Sequence, residues 1–159
     1  MAGPKRWPTG ESTVLDMLAK GTLERVPGDP HYTHDLFERS ILKLQSARAL
    51  TANDPETAYT VTYDAARFLL TSLLAAQGLR SRGAPEGGHV AVQQVVEAQF
   101  PGRFKFFGRM HRVRNELEYP PLTHDAVPVQ QADVTDRIDE VARAVDGIRQ
   151  LVDQLPKFT

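Results

Sequence analysis

Apolar positions along the chain recur with a helical period. The clearest run lies near the C-terminus, where Val134, Ile138, Val141, Val145, Ile148, Val152 and Leu155 follow one another at alternating steps of four and three residues. One apolar stripe results, with Asp136, Glu140, Arg143 and Asp153 off it. Leu36, Phe37, Ile41, Leu44 and Ala47 mark a second amphipathic helix from about His34 to Thr51. A third begins at Asp54-Pro55, a capping residue followed by proline at the first helical position, and runs to Gln77 before Gly78. Its second half, Ala65 to Ala76, is apolar at nine of twelve positions and is predicted to be the most buried segment. Val90, Val92, Val95 and Val96 predict a short helix over His89 to Gln99. Phe106, Met110, Val113 and Leu117 predict another over Phe104 to Tyr119.

Proline sets the boundaries, since it lacks an amide hydrogen and clashes with the preceding helical turn. Beyond Pro30 the long proline-free stretches run 31–54, 56–84, 86–100, 102–119 and 129–155, all of helical length. No segment shows sustained period-two alternation, so no strands are expected. The fold class predicted is all-α, a four- to five-helix up-down bundle over 31–159. It is preceded by a loosely packed N-terminal arm, 1–30, with a short helix at Ser12 to Lys20.

Composition narrows the chemistry. Nineteen Lys and Arg against 20 Asp and Glu give a net charge of −1, which argues against a general nucleic-acid coat. The absence of cysteine excludes disulfides, thiolate metal ligands and thiol catalysis, and makes the cytoplasm the expected compartment. The longest uncharged apolar run, Phe68 to Leu79, has 12 residues against about 20 for a spanning helix, so no membrane association is expected.

Charge is nevertheless uneven. Residues 102–119 carry five positive and two negative side chains, whereas 121–155 carry three positive and seven negative. Within the first of these, Lys105, Arg109, Arg112 and Glu116 share one helical face, expected to be solvated. Phe107, His111, Arg114 and Glu118 lie on a line beside the apolar stripe. A half-buried histidine, arginine and carboxylate cost free energy unless they pair or bind something. One outcome is a pair of ordinary i,i+4 ion pairs, Arg112/Glu116 and Arg114/Glu118. The other is a phosphate-binding surface of Arg103, Lys105, Arg109 and Arg112 with interleaved phenylalanines. Tyr59, Tyr63 and Arg67 also share a face of the long helix with Asp64 alongside, expected as a polar seam or dimer face. His89 follows two glycines at a helix start. A metal site of His111, Glu118 and His124 has no ligand-spacing signature, so no metal and no cofactor is expected.

The order of elements resembles a HEPN domain, the small helical bundle of prokaryotic toxin-antitoxin and defence systems, and is also similar to an actinobacterial group of such proteins. The matching text is ARALTANDPETAYTVTYDAARFLLTSLLAAQGL (47–79), GGHVAV (87–92) and RMHRVRNELEYP (109–120), within a resemblance that spans about 36–152. It implies a homodimer with paired sites at the subunit interface and a metal-independent cut of RNA. In that reaction an arginine steadies the phosphorane and a histidine moves the proton. The family pattern, arginine, a polar residue and then a histidine four to six positions on, is met by Arg114 and Asn115 but ends at Tyr119 instead of histidine. With a reference pKa near 10, about one phenol in a thousand is ionised at pH 7, so Tyr119 is a poor base, although it can donate a proton or hydrogen bond. His111, one turn before Arg114, and His124 in the following loop are the candidate replacements. Two functions follow: a ribonuclease-type protein engaging RNA or a nucleotide through Arg114, Asn115, Tyr119 and His111, or a non-catalytic dimeric module docking a nucleotidyltransferase-type antitoxin.

Overall fold

The structure, a computed structural model, describes residues 6–83, 85–122 and 128–159; His124 lies outside them. Among the described residues there are six helices and one two-stranded sheet. In chain order they are α1 (Glu11–Lys20), β1 (Leu23–Arg25), α2 (Pro30–Leu50), α3 (Pro55–Ala76), β2 (Leu79–Ser81), α4 (Pro85–Gln99), α5 (Lys105–Glu118) and α6 (Gln131–Gln154). The protein is mostly helical, as the periodicity requires.

Helix α3 forms the centre, with α2, α4, α5 and α6 packed around it. Its start is fixed by Asp54, whose carboxylate accepts from the Thr57 backbone N–H at 3.1 Å and from the Thr57 hydroxyl at 2.6 Å. These hydrogen bonds favour the charged form and hold the Asp54 pKa below its ordinary value. Ala65, Ala66, Leu69, Leu70 and Leu73 are fully buried, in line with the apolar density of this segment. Helix α2 starts four residues earlier than the apolar pattern indicates. Asp29 accepts from the His31 N–H at 2.9 Å and Pro30 takes the first helical position, repeating the signal at 54–55.

The stripe on α6 is buried from Val134 through Ile148, but then passes to Leu151, leaving Val152 half-buried. A helix with 3.6 residues per turn drifts about 20° per seven-residue repeat, and two repeats suffice to hand the contact to the neighbouring position. On α4, Val92, Val95 and Val96 are buried, but Val90 is exposed. On α5, Phe106, Phe107 and Met110 are buried, while Val113 and Leu117 are half-buried.

Two expectations are corrected. The chain does contain strands: β1 and β2 pair antiparallel in the register Leu23 with Ser81, Glu24 with Arg80 and Arg25 with Leu79. Three-residue strands are too short to display alternation, and the pairing is anchored by burial of Leu23 and Leu79 and by ion pairs from Arg80 and Arg82 to Glu24. The first 30 residues are also not loosely packed where they are described. Val14, Met17 and Leu23 are in the core, and the Trp7 indole N–H donates to the Gln99 carbonyl at 3.1 Å. Gln99 and Gln77, both buried, exchange two amide hydrogen bonds of 2.8 Å, which satisfies polar groups at the junction of α3 and α4.

Candidate functional site

Three helices bring chemistry to one end of the bundle. Tyr63 projects from α3, His89 from the start of α4, and His111, Arg114, Asn115 and Glu118 from one side of α5. His89, His111, Arg114, Asn115, Glu118 and Tyr119, with Val90 and Glu116, line an open cleft of about 700 Å³.

The floor beneath this cleft is aromatic. Tyr63 is completely buried and stacks on Phe107, with ring centroids 5.3 Å apart and planes 9° from parallel. It stacks also on His89 and His111, at 5.6 and 5.7 Å. The two histidine rings lie 5.9 Å apart. Burial pushes the Tyr63 pKa up, so its phenol stays protonated. It lies 2.7 Å from His89 Nδ1. A buried O–H with this neighbour donates to it, which leaves the proton of the neutral His89 ring on Nε2.

Arg114 is the cation of the cleft. Its side chain is 22% exposed, its guanidinium carbon lies 5.9 Å from the centre of the Tyr63 ring, and Nη1 is paired with the Glu118 carboxylate one turn on. Its Nε is buried and has no hydrogen-bond partner among the described residues. Nη1 also donates to Asn115 Oδ1 at 3.4 Å, which orients the amide so that its nitrogen donates to His111 Nε2 at 3.3 Å. His111 thus presents a lone pair at Nε2, engaged by a long hydrogen bond that a ligand can displace.

Both histidines are kept neutral. Burial first, then the positive charges of Arg67 and Arg114, with the neighbouring His111 ring adding to them when protonated, lower His89 to about 4. Burial and Arg114 lower His111. A histidine depressed by folding favours the native state where it is neutral. Its contribution is therefore complete above the unfolded value near 6.5 and lost as pH falls from there towards 4. At 1.36 kcal/mol per pKa unit the ceiling for His89 is about 3 kcal/mol, and partial solvent exposure reduces it to about 1 kcal/mol. Urea denaturation at pH 7 and pH 4.5 is expected to show His89→Asn losing about 1 kcal/mol less stability on acidification than wild type. Equal losses would show that His89 titrates as a solvated ring.

Not all of the basic segment belongs here. Arg103, Lys105, Arg109 and Arg112 do not line the cleft. Arg109 forms an ion pair with Glu140 of α6 at 3.5 Å, and Arg103 packs over Phe104. Lys105 and Arg112 sit on the exposed face assigned to them, and Arg112 and Glu116 form no ion pair within 4.0 Å. Tyr119, at the C-cap of α5, is 63% exposed at the mouth of the cleft, and its N–H donates to the Asn115 carbonyl at 2.8 Å. Asp64 and Arg67 stand beside the site, 3.8 Å apart. The aromatic floor was not visible as a unit in the sequence. Phe107 and His111 at i,i+4 on α5 were the local sign of it, and Tyr63 and His89 join them only through the packing of α4 and α5 on α3.

Among the described residues no group of three or more His, Cys, Asp or Glu side chains is placed to hold a metal ion, and no helix is long and apolar enough to cross a membrane. Comparison of the chain with protein-family models, curated proteins and solved structures gives no match, so the geometry of the cleft carries the functional argument.

Proposed function

We infer that this is a HEPN-like protein that engages RNA through the cleft around Arg114 and cuts it without a metal ion. The observation that carries this is one half-buried guanidinium with an unpartnered Nε, opening into the same cleft as two neutral histidines. Arginine suits a phosphodiester because its planar fork stays charged and grips two oxygens. Attack of the ribose 2′-oxygen on the adjacent phosphorus forms the new P–O bond and breaks the bond to the 5′-oxygen. His111 Nε2 accepts the 2′-hydroxyl proton, Arg114 steadies the extra negative charge on the phosphorane, and the Tyr119 phenol protonates the departing 5′-oxygen. The proton held by His111 then restores the phenol. The products are a 2′,3′-cyclic phosphate and a free 5′-hydroxyl. The resemblance adds a homodimer with two such clefts at the subunit interface.

A second reading is supported by Glu118, which pairs with Arg114, and by tyrosine at position 119. In it the cleft holds a partner, such as a nucleotidyltransferase-type antitoxin, without cutting anything. Incubation of purified protein with end-labelled single-stranded RNA in EDTA separates the two. Cleavage is expected, with His111→Ala lowering the rate by about 10²- to 10⁴-fold and Tyr119→Phe lowering it less. RNA that is bound but never cut would select the binding module. RNA that is neither bound nor cut would remove nucleic acid as the ligand.

A further inference from the structure

His89 borders two spaces. On one side is the Arg114 cleft. On the other is a recess of about 990 Å³ lined by Arg67, Thr71, Arg80, Ser81, Gly88 and Tyr32 among others. The recess exists because β2 pairs with β1, which holds Arg80 and Ser81 opposite α3, and because α2 begins at Pro30, which places Tyr32 on the far wall.

Arg67 is the cation this recess leaves underused. Arg80 is taken by Glu24, with Nε donating at 2.6 Å. Arg67, by contrast, faces Asp64 only at 3.8 Å, beyond hydrogen-bond length, and its buried Nε has no partner among the described residues. Among the described residues, Arg67 and Arg114 are thus the two side chains whose buried Nε atoms are unpartnered, and both line spaces that meet at His89. Thr71 and Ser81 add hydroxyls to the recess, and the half-exposed Tyr32 ring supplies a face on which a base can stack.

Building on the RNA reading, we propose that the ligand crosses His89: one phosphate sits on Arg114, the neighbouring phosphate on Arg67, and the base beyond it against Tyr32. Arg67 is then a binding residue and not part of a structural seam. The smallest ligand that fills the site is a dinucleotide with two phosphates, and a mononucleotide fills half of it.

The test uses the full chain and two uncleavable probes, 2′-O-methyl-uridine 5′-phosphate and the 5′-phosphorylated 2′-O-methyl-uridine dinucleotide, with binding followed by calorimetry. Wild type is expected to hold the dinucleotide at least 10-fold more tightly than the mononucleotide. Arg67→Gln is expected to erase that difference and leave mononucleotide affinity unchanged, and Arg67→Lys, which keeps the charge but not the planar guanidinium 4.7 Å from the Phe68 ring centre, to restore part of it. Equal loss of dinucleotide and mononucleotide binding in Arg67→Gln would mean a damaged fold, and Arg67→Lys binding like Arg67→Gln would then overturn the proposal. Mononucleotide binding that needs Arg114 but shows no dependence on Arg67 or on ligand length overturns the second subsite and leaves the first standing. No binding of either probe to wild type overturns the RNA reading and this inference with it.

Discussion

Arg114→Ala is expected to reduce metal-independent RNA cleavage by about 10²- to 10³-fold, the usual effect of removing one group that stabilises transition-state charge, with the circular dichroism spectrum unchanged. The guanidinium is neither sealed in the core nor bare: it is 22% exposed, and its partner Glu118 is 43% exposed. Ion pairs so accessible contribute about 0–1 kcal/mol, so an incoming phosphate displaces the carboxylate at little cost, and loss of the pair barely alters stability. Arg114→Lys is expected to recover little activity, because a point charge cannot reproduce the planar fork that donates to Asn115 and stacks over Tyr63. Rate assays in EDTA on the two variants decide this. Full activity in Arg114→Ala would place the chemistry elsewhere.

The largest structural effect belongs to a position far from the cleft. Gly10→Ala is expected to destabilise the fold by about 3–5 kcal/mol and lower Tm by about 10 °C. Gly10 has φ +72°, in the left-handed region, and a Cβ there would lie 2.5 Å from the backbone carbonyl of Ala98 near the end of α4. Neither α1 nor α4 can yield locally, because Val14 of α1 is fully buried and Gln99, next to Ala98, is locked to Gln77 and Trp7. Gly21 is the control: φ is +78°, but nothing lies within 4 Å of its Cβ position. Gly21→Ala therefore loses only the conformational part, about 1 kcal/mol. Thermal denaturation of the two variants separates backbone strain from close approach, and equal Tm losses would show that the α1–α4 contact gives way.

Helices were legible where apolar period and capping chemistry agree. The Asp54-Pro55 start of α3 and the Val134 to Ile148 stripe of α6 are read directly from the chain. The same Asp-Pro signal at 29–30 went unread because the apolar pattern of α2 starts later, and loop-like prolines at 27 and 30 masked it. β1 and β2 were illegible for a different reason: their pairing joins residues more than fifty positions apart, and such closure leaves no local trace in three-residue strands. In the site, the line His111, Arg114, Glu118 follows from helical geometry alone. That Tyr63 stacks beneath it and donates to His89 depends on three helices meeting, which no single helical wheel contains.

The most direct measurement is the pH titration of the His89 and His111 ring resonances by NMR, with and without 2′-O-methyl single-stranded RNA. A phosphate held on Arg114 brings negative charge beside both rings and stabilises their protonated forms, so both pKa values are expected to rise on binding, with proton uptake that tightens the complex as pH falls. RNA bound while both rings titrate as in the free protein would contradict the placement of the ligand in this cleft.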